Sequence, residues 1–509
     1  MRSKRALINT VFSIFNQIIL AIVNIIVRKV MISSIGVEYL GVNGLFSNVL
    51  SLLSLTESGF GVAIVYKLYK PIADNDEVKI GEFLNFYSKI YRIIAVVITV
   101  AGIAIMPLLP YVIKETTLPM DEIYIYYILF LVNNVAGYFI AYKTAFLTAC
   151  QQNYYVMIIN SVVTVIMAVI RIIGLLVFKS FILYLVIIIA TTVIINAITA
   201  LFADKRYRFL KNIKQYTLPD VEKESIYKDC KALIFHKIGA YVLTGTDNIL
   251  ISAFVNVITV GFYSNYLIVI NLLNNTLNKL YDAIVPAIGN ILAAEGEKSA
   301  YESFRMVFFF AFILQTFCTG MLLCLIQLFI SVLFGSECLL DVFTVLLIVF
   351  NFYFTGMRRP VTTMKNAGGV FYQDRYFALL EASANLVISI IGVKMIGLPG
   401  IFVGTIVSGL FIPNIAGPFY LYRDVFGMKF NKFLFKELEY FALTAVTIVP
   451  IYFVIQAMPF NISVLGFTLE FICALVMTGL ASVILAFALP ERKYTIKYLK
   501  MILAIKKKN

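Results

Sequence analysis

The apolar positions of this chain fall in long runs, and the polar ones collect between them. Fourteen runs, at roughly 6–35, 40–66, 84–110, 123–147, 154–178, 180–203, 233–255, 259–290, 304–331, 338–357, 377–397, 399–422, 437–457 and 463–489, reach or approach the ~20 residues that carry a helix across a bilayer. Lipid offers no partner to a bare peptide group, so each run is read as a helix. Pro107, Pro286, Pro413 and Pro450 lie inside runs, where membrane helices absorb them as kinks.

Polar residues inside the runs recur at helical spacing. In the stretch 232–255, His236 and Asp247 are eleven apart, as are Lys237 and Asn248, so each pair nearly eclipses on one face with Thr244 between. An Asp at mid-bilayer costs about 2.5–3.5 kcal/mol even on lenient scales, so Asp247 is expected to face protein or water. Ser47, Ser51, Ser54 and Ser58 stripe the second run beside Glu57; Asn271, Asn275, Asn278 and Asp282 stripe the eighth, with Lys279 one turn from Asp282. Asn160, Thr164 and Arg171 share a face of the fifth run, and Glu381, Asn385 and Ser389 one of the eleventh. Arg28 and Lys29 stand about two turns before Gly36, the expected outer end of the first. Each stripe also has a plain structural reading: interhelical hydrogen bonding, snorkelling to a headgroup, or a local ion pair.

The two halves echo one another. The serine and asparagine stripes step four, three, four, and an offset of 224 maps one onto the other; Asn160 and Asn385 differ by 225, and Gly41 and Gly261 open the second and eighth runs. The expected fold is an all-α membrane protein of 14 transmembrane helices. Two six-helix bundles in pseudo-twofold repeat surround a central cavity, with two further C-terminal helices. The expected divisions are an N-terminal lobe at 1–203, a cytoplasmic linker at 204–231, a second lobe at 232–422, helices 13 and 14 at 423–489, and a basic tail at 490–509. Tyr498, Met501, Ile502 and Ile505 recur at helical spacing among the tail's lysines, as in a helix lying in the interface.

Composition agrees: 61% of the 509 residues are hydrophobic and 14% charged, against about 25% in soluble domains. The net charge of +14 signals orientation. With the N-terminus inside, 35 of the 42 Lys and Arg fall on the cytoplasmic side and five on outer flanks. No soluble basic module is present, so no nucleic-acid partner is expected. The basic start at Arg2, Lys4 and Arg5 precedes a run too long for a cleaved leader, and it is read as a retained first helix. Six cysteines without a CxxC pair, and a single histidine, give no disulfide framework, zinc site or His-rich metal site.

Enzymatic readings find little footing. Asp74-Asn75-Asp76 imitates a glycosyltransferase DxD in a loop too short for a nucleotide-sugar domain, and Gly296–Ser299 lacks the strand and first glycine of a P-loop. No cofactor is expected. Transport without an ATPase must draw on an ion gradient, the membrane potential or the substrate's own gradient.

At Gly41–Lys70 (GVNGLFSNVLSLLSLTESGFGVAIVYKLYK), Gly245–Ser252 (GTDNILIS), Gly261–Asn265 (GFYSN) and Asn366–Tyr376 (NAGGVFYQDRY), the chain resembles the polysaccharide repeat-unit flippases of the multidrug/oligosaccharidyl-lipid/polysaccharide exporter superfamily. The resemblance covers essentially the whole chain. It implies a bacterial inner-membrane protein, both termini cytoplasmic, that moves undecaprenyl-diphosphate-linked oligosaccharide to the outer leaflet by alternating access, for surface polysaccharides such as capsule or exopolysaccharide. Arg28 matches the family's first-helix arginine and Asp247 the aspartate of its seventh-span motif; Glu57 and Asp282 depart from its more cationic cavities.

The expected substrate-binding residues are Arg28 and Lys279, then Lys237 and Arg171, for a diphosphate. Asn271, Asn275 and Asn278 suit sugars. Asp247, Glu57, Asp282 and Glu381 are the candidates for ion coupling or gating. The partners are then the polyprenyl-diphosphate-linked oligosaccharide, membrane lipids and a counter-moving proton or sodium ion. The alternatives are a cation-coupled multidrug antiporter of the same fold and, more remotely, a membrane glycan polymerase or ligase.

Overall fold

The computed structural model describes residues 2–220, 222–224, 226–227, 245–368, 376–458 and 462–496. Among these residues the regular structure is helical, and twelve helices are long and apolar enough to cross a membrane. Of the two further runs expected, 233–255 begins outside the described residues. The other, 40–66, is broken into Val37–Leu53 and Leu55–Ala73. The break falls at Ser54. Ser54 Oγ donates back to the Leu50 carbonyl at 2.8 Å and lies 3.2 Å from Asn134 Oδ1, so the helix bends where its serine bonds elsewhere.

The chain divides into two compact units, Met1–Ser264 and Asn265–Asn509. In the first, Arg2–Ile35 packs chiefly on Asn153–Phe178, which packs on Phe181–Arg206. Gly36, at φ +105°, turns the chain from its first helix into Val37–Leu53, a conformation that favours glycine. Asp76 caps Glu77–Ile105 by accepting from the Lys79 amide at 2.9 Å, starting that helix seven residues before its apolar run. Met120–Ala136 passes through a tighter turn, Gly137–Ile140, into Ala141–Ala149; there Asn196 Nδ2 donates to the freed Ala136 carbonyl at 2.8 Å. Arg208–Gln215 then tucks Leu210 and Ile213 inward.

In the second unit, Phe377–Ile396 and Leu398–Phe411 form the tightest pair. A Cβ on Gly400 would stand 2.0 Å from the Gly392 carbonyl carbon, so small residues let these backbones meet. Ser389 Oγ donates to the Ile401 carbonyl at 2.9 Å and Asn385 Nδ2 to Thr405 Oγ1 at 3.0 Å. That polar stripe therefore fastens one helix to the next. The last two helices, Asn431–Gln456 and Val464–Ala488, pack against Glu297–Phe334; Thr316 and Thr444 hydrogen-bond at 2.7 Å, and Phe312 stacks on Tyr440 with ring centres 4.1 Å apart.

Candidate functional site

Within the first unit, two expected cations converge. Arg28 comes from Arg2–Ile35 and Arg171 from Asn153–Phe178, each seven residues before the end of its helix. Tyr184, on Phe181–Arg206, lies within electrostatic reach of both. Arg171 is buried and its Nε has no hydrogen-bond partner among the described residues. Phe181 stacks on Tyr184 and meets Tyr39 and Tyr126 at 5.1 and 4.8 Å between centres, so an aromatic floor fixes the phenol. Two guanidinium groups near one phenol are suited to a polyanion, which would take charge-assisted hydrogen bonds from both.

The aspartate of the seventh run stands in the same unit. Asp247 lies in the helical stretch 245–254 and is 7% exposed, and its Oδ1 has no hydrogen-bond partner among the described residues. Tyr263 lies within electrostatic reach of it. Asn248, beside it, is also buried, and its Oδ1 has no partner among the described residues. Gly44 keeps this ground open: a Cβ there would come within 2.7 Å of Ser264 Oγ and 3.8 Å of Asn248 Nδ2. Buried polar oxygens left without donors are uncommon and call for a ligand, a proton or a water.

In the second unit, Asn271 and Asn275 are exposed on Val257–Glu295, while Asn278 and Lys279 are half-buried. Glu381 has a partner that the sequence did not disclose: Arg358 Nη1, 3.2 Å from its Oε1. The same guanidinium donates to Asn414 Oδ1 at 2.8 Å and to the Gly409 carbonyl at 3.1 Å, and Glu437 lies within its electrostatic reach. Glu381 thus sits in a four-helix ion cluster. Lys237 lies outside the described residues, as do the side chains of Glu57 and Asp282, although both of the latter occupy helical backbone.

Several of these contributors carry little signal in sequence. Tyr184 opens an apolar run and reads as an interfacial aromatic; Arg358 reads as a cytoplasmic flank. Glu437 and Glu470, both buried in the last two helices, could have been found as acids inside apolar runs.

No family model matches the chain, and no curated protein matches it. Solved structures do. The chain is similar to lipid II flippase MurJ in an inward closed conformation, at 12% identity and a TM-score of 0.67, over 94% of this chain and 98% of that one. It is similar to a multidrug resistance MATE family transporter of the MOP superfamily in an inward-facing conformation, at 13% identity and a TM-score of 0.63, over 79% and 93%. A MATE in the bent conformation aligns at 14% identity and a TM-score of 0.54, over 81% and 92%. At these identities the likeness establishes the fold, that of a multi-pass membrane protein.

Proposed function

We propose that this protein is a flippase that carries diphosphate-linked oligosaccharide on a polyprenyl lipid across a bacterial inner membrane by alternating access. The observation that carries the reading is that Arg28 and Arg171, on two helices apolar enough to cross a membrane, both lie within electrostatic reach of Tyr184. A diphosphate is the ligand class that two guanidinium groups hold best, through forked hydrogen bonds. Exposed polar stripes support it in each unit: Ser47 and Ser51 in the first, Asn271 and Asn275 in the second. Polar groups on membrane-spanning helices avoid lipid, so a water-filled path bearing sugar-binding amides is the economical account.

Fourteen spans with both ends cytoplasmic remain part of this proposal, and the fold likeness over 94% of the chain to a lipid flippase accords with it. The MATE fold supplies the second reading, a cation-coupled drug antiporter, favoured by the buried Asp247, whose Oδ1 has no partner among the described residues. One experiment separates them. In proteoliposomes, the wild-type chain is expected to translocate a polyprenyl-diphosphate oligosaccharide, and Arg28→Ala and Arg171→Ala to lose that activity while inserting normally. Efflux of cationic dyes that persists in both variants, without glycolipid movement, would replace the flippase with the antiporter.

A further inference from the structure

A cleft of about 540 Å³ opens on the first unit, away from Arg28 and Asp247. It lies where Glu77–Ile105 emerges from its apolar run and Phe181–Arg206 ends. Lys89, Arg92, Lys143, Lys211 and Lys214 line it together with one carboxylate, Asp204. Lys143 and Asp204 neutralise one another at 2.7 Å. The other four cations form no ion pair among the described residues, and all four side chains are exposed. Lys211 and Lys214 each follow a buried residue, Leu210 and Ile213, on a short segment kinked at Asn212, and both line the cleft.

The surroundings identify the anion's source. From Lys89 and Arg92 the same helix continues into Ile93, Val96, Val97, Val100 and Ile103, all more than half exposed. Counted from Lys89 these are steps of four, seven, eight, eleven and fourteen, a single apolar stripe. Cations at the foot of a bare apolar stripe match a lipid: phosphate in the cleft, acyl chains along the helix. A soluble polyphosphate would use the cations and leave the stripe idle.

We propose that this cleft is a binding site for the phosphate headgroup of an anionic membrane lipid, separate from the transport pathway. Its four cations without an ion pair among the described residues favour a headgroup of more than one negative charge over a zwitterionic one, and its volume lies within the ordinary range for ligand sites.

The test uses the full chain in neutral detergent. Native mass spectrometry and thermal unfolding are followed as phosphatidylglycerol, cardiolipin, phosphatidylcholine or inorganic pyrophosphate is added. The two anionic lipids are expected to bind and raise the melting temperature, phosphatidylcholine to do neither. Lys211→Gln/Lys214→Gln should weaken the anionic lipids roughly thirtyfold, with Lys89→Gln/Arg92→Gln as an independent second pair. Lys179→Gln/Lys394→Gln removes equal charge elsewhere and should leave affinity unchanged. Equal loss in that control would reduce the effect to net charge and overturn the site. Pyrophosphate binding as tightly as the lipids would overturn the lipid assignment in favour of a soluble phosphate. Neither result touches the Arg28 reading, which is scored by translocation.

Discussion

Gly41 and Gly261 stand backbone to backbone: a Cβ on Gly41 would lie 1.9 Å from the Val257 carbonyl oxygen, and one on Gly261 2.7 Å from that of Val37. The two glycines open helices that the sequence pairs as counterparts at an offset near 220. Their contact lies next to the ground held by Gly44, Asn248 and Asp247. Small residues at this crossing give the helices the close approach that packing in lipid rewards.

Gly41→Ala therefore forces a carbon into a carbonyl, and neither backbone can rotate away. The expected loss is about 1–3 kcal/mol of stability, read as a lower melting temperature in detergent. Gly479→Ala is the matched control, because an added Cβ there meets nothing within 4 Å; it should stay within about 0.5 kcal/mol of wild type. Equal melting of the two variants would rule out the close crossing.

Glu38, buried in the first turn of Val37–Leu53, clamps the loop after the following helical span. It accepts from Thr116 Oγ1 at 2.6 Å, from the Thr117 amide at 2.8 Å and from Thr117 Oγ1. Bonds to an ionised acceptor are the strong kind, worth about 1.5–3 kcal/mol net. Glu38→Gln keeps the shape and turns one acceptor into a donor facing donors. The expected result is a stability loss of about that size together with faster proteolysis of the loop 113–119; an unchanged cleavage rate would remove the clamp.

How far the sequence discloses this arrangement depends on whether a feature is local. The helix Asn153–Phe178 is legible because a run of 25 residues, 20 of them hydrophobic, has no alternative in lipid. Arg28 and Arg171 are legible for the same reason, as charges set in grease. The break at Ser54 is not, because its partner Asn134 lies 80 residues away. Tyr184 escapes notice because an aromatic at the head of an apolar run is expected at any interface. The stripe Glu381, Asn385, Ser389 is visible in sequence, but its use is not. Its partners Ile401 and Thr405, the close Gly404, where a Cβ would sit 2.2 Å from Ser389 Oγ, and Arg358 show that it faces protein.

Arg358 and Glu381 give a separable test of that cluster. Removing the guanidinium leaves Glu381 and Glu437 buried without their cation, so Arg358→Ala should cost about 3–5 kcal/mol. Arg358→Ala/Glu381→Gln should recover part of the loss, giving a coupling of about 1 kcal/mol or more in a double-mutant cycle. Additive losses would mean that Arg358 acts through Asn414 and the Gly409 carbonyl alone.

Asp247 poses the opposite case, a buried carboxylate whose Oδ1 has no partner among the described residues. A group kept for stability would be satisfied; an unsatisfied one costs the fold. Asp247→Asn preserves volume and removes the charge. The expected protein melts at the wild-type temperature or above it, by up to about 2 kcal/mol in stability. It should also bind glycolipid with unchanged affinity and lose the acceleration that an imposed proton or sodium gradient gives to transport. The two measurements answer different questions. A fall in melting temperature with gradient dependence intact would make Asp247 a structural residue and leave the driving force to a carboxylate elsewhere.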